Sequence, residues 1–224
     1  MEKLFVGGVV PLTTVDYPEH LATVVFLQGC PWRCVYCHNP LLQKFDESSA
    51  SRWDDVLKVI RERSGFIEAV VFSGGEPLAQ SALSQAIDEV RQLNLKVGVH
   101  TSGSFPQALS IIISKIDWIG LDIKTAFADY ESITRVAGSG AKAKETLDVI
   151  LASGVDFEIR MTMDKSISLN VAVETLENLA ELGVKKVAIQ KCRDKNEKEV
   201  EHPLFSDKIA LDDLAKRFEK FIVR

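Results

Sequence analysis

The sequence lacks several things, and each absence narrows what the chain does. No run approaches the roughly 18 apolar residues of a membrane-crossing helix, so no helical span is expected. An excess of cationic charge is missing too: 27 basic side chains against 32 acidic ones leave a net charge of −5. That argues against a nucleic-acid partner, because such binding depends on clustered positive charge. Low-complexity segments, linkers and shifts of composition are absent. The 224 residues are therefore expected to form a single domain, 1–224, although length alone would allow one large or two small ones. Cysteine is scarce, with four in all. A secretion signal is not expected either. Leu4–Leu12 is apolar, but Glu2 precedes it, no small-residue cleavage pattern follows, and Thr13–Pro18 reads as a turn. The expectation is a cytoplasmic protein whose thiols stay reduced.

What is present is a repeating alternation. Apolar, β-branched runs of strand length fall at Ala22–Gln28, Glu68–Ser73, Lys96–Thr101, Trp118–Ile123, Phe157–Met163 and Lys186–Lys191. Between and after them lie amphipathic stretches at Arg52–Ser64, Ser81–Leu93, Pro106–Lys115, Ala141–Ser153, Val171–Leu182 and Leu211–Phe221. Alternating β and α elements predict parallel strands with right-handed crossovers. Either an open doubly wound sheet or an incomplete (β/α)6 barrel would fit. Within the strands, Gly120, Asp122 and Lys124 share one face, as do Glu158, Arg160 and Thr162, and as do Gln190 and Cys192. A sheet covered on both sides by helices would be apolar on both faces. Polar residues toward the carboxyl ends favour an incomplete barrel whose mouth holds the site.

Three cysteines, Cys30, Cys34 and Cys37, lie within eight residues, on the loop 29–40 after the first predicted strand. A disulfide framework does not explain them, since such frameworks belong to short secreted chains with evenly paired cysteines. Three metal readings remain. A zinc knot of Cys30, Cys34, Cys37 and His38 would crowd four ligands into nine residues, where structural sites use two separated knuckles. Haem attachment through Cys34-Val35-Tyr36-Cys37-His38 leaves Cys30 unexplained. An iron–sulfur cube with three protein thiolates leaves one iron open, which suits a catalytic centre.

The spacing C-x3-C-x2-C with Tyr36 before Cys37, followed one strand later by Gly74-Gly75-Glu76-Pro77, resembles the radical S-adenosylmethionine (SAM) enzymes. The resemblance implies a partial TIM barrel with a [4Fe–4S] cluster on Cys30, Cys34 and Cys37. The open iron would chelate the amino and carboxylate groups of SAM, and one electron would cleave it to methionine and a 5′-deoxyadenosyl radical. It also implies SAM contacts from Tyr36 against adenine, from Gly74, Gly75 and Glu76, from Ser102 in the turn beside His100, from Asp122 and Lys124, and from Arg160. An internal ion pair between Arg160 and Glu158 is an equal reading. Cys192 is expected to be a small buried residue and Arg193–Glu201 a solvated loop.

Val10–Pro18, Val24–Cys30 and Cys37-His38-Asn39-Pro40 are similar to anaerobic ribonucleoside-triphosphate reductase activating proteins, with Glu19 where that group has glycine. This narrower resemblance implies an enzyme that installs a glycyl radical on a partner, most of all the anaerobic reductase, with a flavodoxin- or ferredoxin-type electron donor. With only Cys192 to spare, auxiliary clusters are not expected. The alternatives are a radical SAM enzyme acting on a small molecule, like the deazaguanine-forming synthases, and a non-catalytic iron–sulfur protein.

Overall fold

A computed structural model of the chain describes residues 3–194, 196 and 198–224. One eight-stranded sheet runs through it in the order β1 to β8. The apolar amino-terminal stretch, similar in composition to a signal core, is strand β1 (Val6–Thr13), antiparallel to β2 (Ala22–Leu27). From β2 onward the neighbours are parallel: β3 (Ala69–Gly74), β4 (Lys96–Thr101), β5 (Trp118–Asp122), β6 (Asp156–Met163), β7 (Lys186–Lys191) and β8 (Lys220–Val223). Helices cross between them: α1 (Trp53–Arg63), α2 (Leu83–Arg91), α3 (Pro106–Ile112), α4 (Tyr130–Thr134) with α5 (Ser139–Ser153), α6 (Leu169–Glu181) and α7 (Lys208–Ala215). Among the described residues β1 and β8 do not pair, so the barrel stays open.

The six predicted strand–helix units are all there, as the incomplete (β/α)6 reading expects. Two strands were not expected. β8 replaces the end of the helix predicted over Leu211–Phe221: α7 stops at Ala215, and Lys220–Val223 pairs with the edge of β7. Phe221-Ile222-Val223 is a β-prone run, and the unsatisfied edge of β7 outweighs a weak helical period. The short helix α4 also escaped notice, because five residues cannot display a period.

The sheet separates two apolar layers by side-chain alternation. Val25, Leu27, Val70, Phe72, Val97, Val99, Ile119 and Leu121 join the helices in the large outer core. Ala22, Val24, Ala69, Val71 and Trp118 enclose Tyr17 in a small inner one. Tyr17 comes from the β1–β2 loop and plugs the barrel floor against Trp118, with ring centroids 5.3 Å apart. Next to it, Glu19 has φ 64°, a left-handed conformation that favours glycine. The position keeps the backbone of the glycine found in the resembling group although the residue has changed. No helix is long and apolar enough to cross a membrane among the described residues.

Candidate active site at the carboxyl ends of the strands

A cavity of about 540 Å³ opens above the inner layer. All three loop cysteines line it, together with Tyr36, the Ser73–Gly75 turn, Ser102, Asp122, Lys124 and Arg160. Every site residue expected from the sequence therefore meets at this mouth except Glu76, whose side chain lies behind it.

The cysteine loop is held from two sides. Arg33 and Val35 donate their main-chain N–H groups to Thr134 and Ile133 of α4, at 2.9 and 3.0 Å. Trp32, fully buried, packs edge-on against Tyr130 of the same helix. On the other side the turn after β3 clamps the loop: Gly75 N–H donates to Leu27 and Glu76 N–H to Gly29, both at 2.8 Å. The two glycines serve this clamp. A Cβ on Gly74 would meet the Leu27 main chain at 2.3 Å, and one on Gly75 would meet the Gly29 carbonyl at 2.5 Å. Sequence reasoning assigned them to close approach of a ligand; their close approach is to the cysteine loop itself.

Glu76 is also reassigned in part. Its carboxylate is fully buried and accepts four hydrogen bonds, from Thr101, Leu78 and, twice, Ser102. Burial pushes its pKa up, and the donors from Ser102 and Thr101 oppose that. The carboxylate is thus spent as a brace between the turns after β3 and β4. The main chain of Ser73–Gly75 is what this motif presents to the cavity.

The facing wall is a charged network. Lys124 is buried and pairs with the half-exposed Asp122 at 3.5 Å. Burial presses its ammonium toward neutrality, yet Asp122 outweighs this and holds the pKa well above the usual lysine range. Its Nζ lies 5.8 Å from the centre of the Tyr36 ring, and its N–H donates to the Tyr130 hydroxyl at 3.0 Å. Arg160 pairs with Glu158 at 3.3 Å, which bears out the ion-pair reading, while its guanidinium still lines the cavity. Its Nη1 donates to His100 Nδ1 and its Nη2 to the Asp16 carbonyl, at 3.2 and 3.3 Å. Burial, and then Arg160, drive His100 well below its usual pKa, so the ring is neutral. With Nδ1 accepting, Nε2 carries the proton and donates to the Asp16 carbonyl at 2.8 Å.

Cys192 is buried as expected and lies off the cavity lining. Part of Arg193–Glu201 departs from a solvated loop. Arg193 and Glu199 form a β-bridge and both line the mouth, while Glu199 accepts from Lys191 at 2.7 Å. Lys195 and Glu197, also in that run, lie outside the described residues. Sequence reasoning missed Trp32 and Tyr130 as the seat of the loop, Asp16 as a wall residue, and Arg224. Only the Asp16-Tyr17-Pro18 segment carried a signal; the others are brought in by packing alone.

The thiols fit a cluster in their chemistry. They are free, and burial pushes Cys30 up to about 11 and Cys34 in the same direction, so they stay protonated until a metal centre favours the thiolate. Among the described residues no three His, Cys, Asp or Glu side chains converge on one ion. A cube does not require that, because each thiolate binds a different iron. Tyr36 Oη is buried with no hydrogen-bond partner, the kind of orphan a bound ligand satisfies.

Comparisons with known proteins place this geometry. A Methanocaldococcus jannaschii protein named provisionally as a glycyl-radical enzyme activating enzyme, MJ1227, is 29% identical over 167 residues, 71% of this chain and 68% of that one. The pyruvate formate-lyase-activating enzyme of Staphylococcus epidermidis is 37% identical over 106 residues, 45% of this chain and 41% of its own length. The chain thus spans about two thirds of the first relative and well under half of the second. Among solved structures, QueE from Escherichia coli superposes with a TM-score of 0.62 at 16% identity, over 100% of this chain and 94% of that one, a likeness of fold. Residues 24–166, which carry the cysteine loop, the glycine turn and the Asp122–Lys124 wall, match the family model described as Radical SAM superfamily, and the chain belongs to that family.

Proposed function

We propose that the chain, folded as one domain, is a radical SAM activating enzyme that installs a glycyl radical on a partner protein, with the anaerobic ribonucleoside-triphosphate reductase as the leading candidate. The observation that carries this reading is the convergence of three free thiols, the Ser73–Gly75 turn and the Asp122–Lys124 pair on one open cavity. The names of the relatives from Methanocaldococcus and Staphylococcus support the activase subtype. The reading further expects a cytoplasmic protein served by a flavodoxin- or ferredoxin-type electron donor.

When bound, the [4Fe–4S] cluster and SAM supply reductive cleavage to a 5′-deoxyadenosyl radical, which takes hydrogen from the substrate. The protein supplies binding, orientation and exclusion of water. Cys30, Cys34 and Cys37 would hold the cluster, and the seat on α4 keeps their loop in place. The main chain of Ser73–Gly75 and the ammonium of Lys124 would orient the amino-acid end of SAM. Tyr36 would lie against adenine, with Ser102, Asp122 and Arg160 closing the wall. A barrel left open between β1 and β8 suits a loop of a macromolecular substrate.

The test is anaerobic reconstitution with iron and sulfide, reduction, and addition of SAM. Methionine and 5′-deoxyadenosine are expected, and Cys34→Ala should abolish both. A glycyl radical signal on the candidate reductase should follow. SAM cleavage with no such signal on any candidate would sink the activase reading and leave the chemistry standing. A cavity of about 540 Å³ also fits a small molecule, and that second reading predicts turnover of a metabolite without a protein partner.

A further inference from the structure

Two arginines reach the cavity beside one carboxylate. Glu158, almost fully buried, receives Arg160 Nε at 3.3 Å and Arg224 Nη2 at 2.5 Å on the same oxygen, Oε1. The two guanidiniums differ in what they have left to give. Each nitrogen of Arg160 already has a protein partner: Glu158, His100 or the Asp16 carbonyl. Arg160 is also the less accessible, with its side chain 9% exposed. The Arg224 side chain is 31% exposed, lines the cavity, and has Glu158 as its one side-chain partner among the described residues. A guanidinium carries five N–H donors in a planar fork, so most of the fork of Arg224 is unspent.

Its placement is rigid. Arg224 continues the ladder of β8, donating its N–H to Ile189 at 3.0 Å and accepting from Lys191 N–H at 2.9 Å. Thr162 and Gln190, on the inner faces of β6 and β7, add neutral polar groups to the same wall. One buried carboxylate shared by two guanidiniums leaves a cationic surplus among these side chains, and unspent N–H donors facing a cavity favour an anion.

We propose that this wall is a substrate subsite for a carboxylate, with Arg224 as the binding group and Glu158 as the residue that positions it. The inference rests on the reading that the substrate is a protein loop, in which the matching anion is the side chain of an Asp or Glu flanking the target glycine. The sequence resemblance pointed to Arg160; the hydrogen-bond inventory gives the substrate-facing role to Arg224.

The probes are N-acetylated, C-amidated pentapeptides with a central α,α-dideuterated glycine, flanked by Asp in one series and Asn in the other. Binding to the reconstituted holoenzyme with SAM is measured, together with deuterium appearing in 5′-deoxyadenosine. The Asp series should bind the unaltered enzyme about tenfold more tightly. In Arg224→Gln the ratio between series should fall to near one, and Arg224→Lys should keep part of it. A ratio near one in the unaltered enzyme, which needs no variant to fold, overturns the subsite. A preference that survives in Arg224→Gln overturns the assignment to Arg224. Acid preference without deuterium transfer upholds the subsite and counts against glycine as the target, whereas transfer without preference does the reverse.

Discussion

Ser102 is bonded twice to Glu76: its main-chain N–H and its hydroxyl both donate to Oε2, at 2.8 and 2.5 Å. Thr101 hydroxyl and Leu78 N–H occupy Oε1. One buried carboxylate therefore joins the turn after β3 to the turn after β4, and the two turns move as a unit.

Removing that carboxylate leaves fixed N–H donors buried without partners. Glu76→Ala should lose roughly 2–4 kcal/mol of stability in urea unfolding of the cluster-free protein. Glu76→Gln should lose less, because its carbonyl still accepts. An alanine variant within about 0.5 kcal/mol of the parent would show that the brace contributes nothing.

Gly75→Ala tests the clamp on the cysteine loop. The new Cβ would sit 2.5 and 2.7 Å from two main-chain carbonyls, those of Gly29 and Leu42, neither of which rotates away. A cost of about 1–3 kcal/mol is expected, with a lower iron content after reconstitution. Parental iron content at reduced stability would separate the clamp from cluster assembly.

For Tyr36→Phe the two readouts should move in opposite directions. Deleting a buried hydroxyl without a partner should leave the cluster-free protein as stable or up to about 1 kcal/mol more stable. SAM should bind the reconstituted variant more weakly, as followed by equilibrium binding. A destabilised cluster-free variant would show that the hydroxyl already has a role there.

His100 makes stability depend on pH. Its folded pKa lies well below 6.5, so between that value and 6.5 the unfolded chain binds a proton that the folded one does not. Stability is therefore complete above pH 6.5 and is lost as pH falls, by up to about 1.4 kcal/mol per unit from this group. His100→Asn should flatten this part of the urea-midpoint profile between pH 7 and 5. An unchanged slope would mean that the ring already titrates normally in the folded protein.

The legible part of the molecule is its periodic and local chemistry. Six strand–helix units appear in the sequence because each strand repeats every two residues and each long helix every 3.6, and both periods survive without neighbours. The inward set Gly120, Asp122 and Lys124 was readable for the same reason. The cysteine spacing and the Gly74–Pro77 turn were legible because their chemistry depends on short sequence distances. β8 and α4 were not, being too short to show a period and formed by what they pack against.

By itself the sequence determined that three thiols share a loop, that a glycine turn follows one strand later, and that an alternating α/β chain brings both to the same end of a sheet. Tertiary structure decided what each side chain is free to do. It buried the Glu76 carboxylate in four hydrogen bonds, turned the glycines toward the loop, saturated Arg160 and left Arg224 with donors to spare. The physical reason is that a hydrogen-bonding group's availability depends on its partners in space, and those partners lie 25 to 144 residues away along the chain.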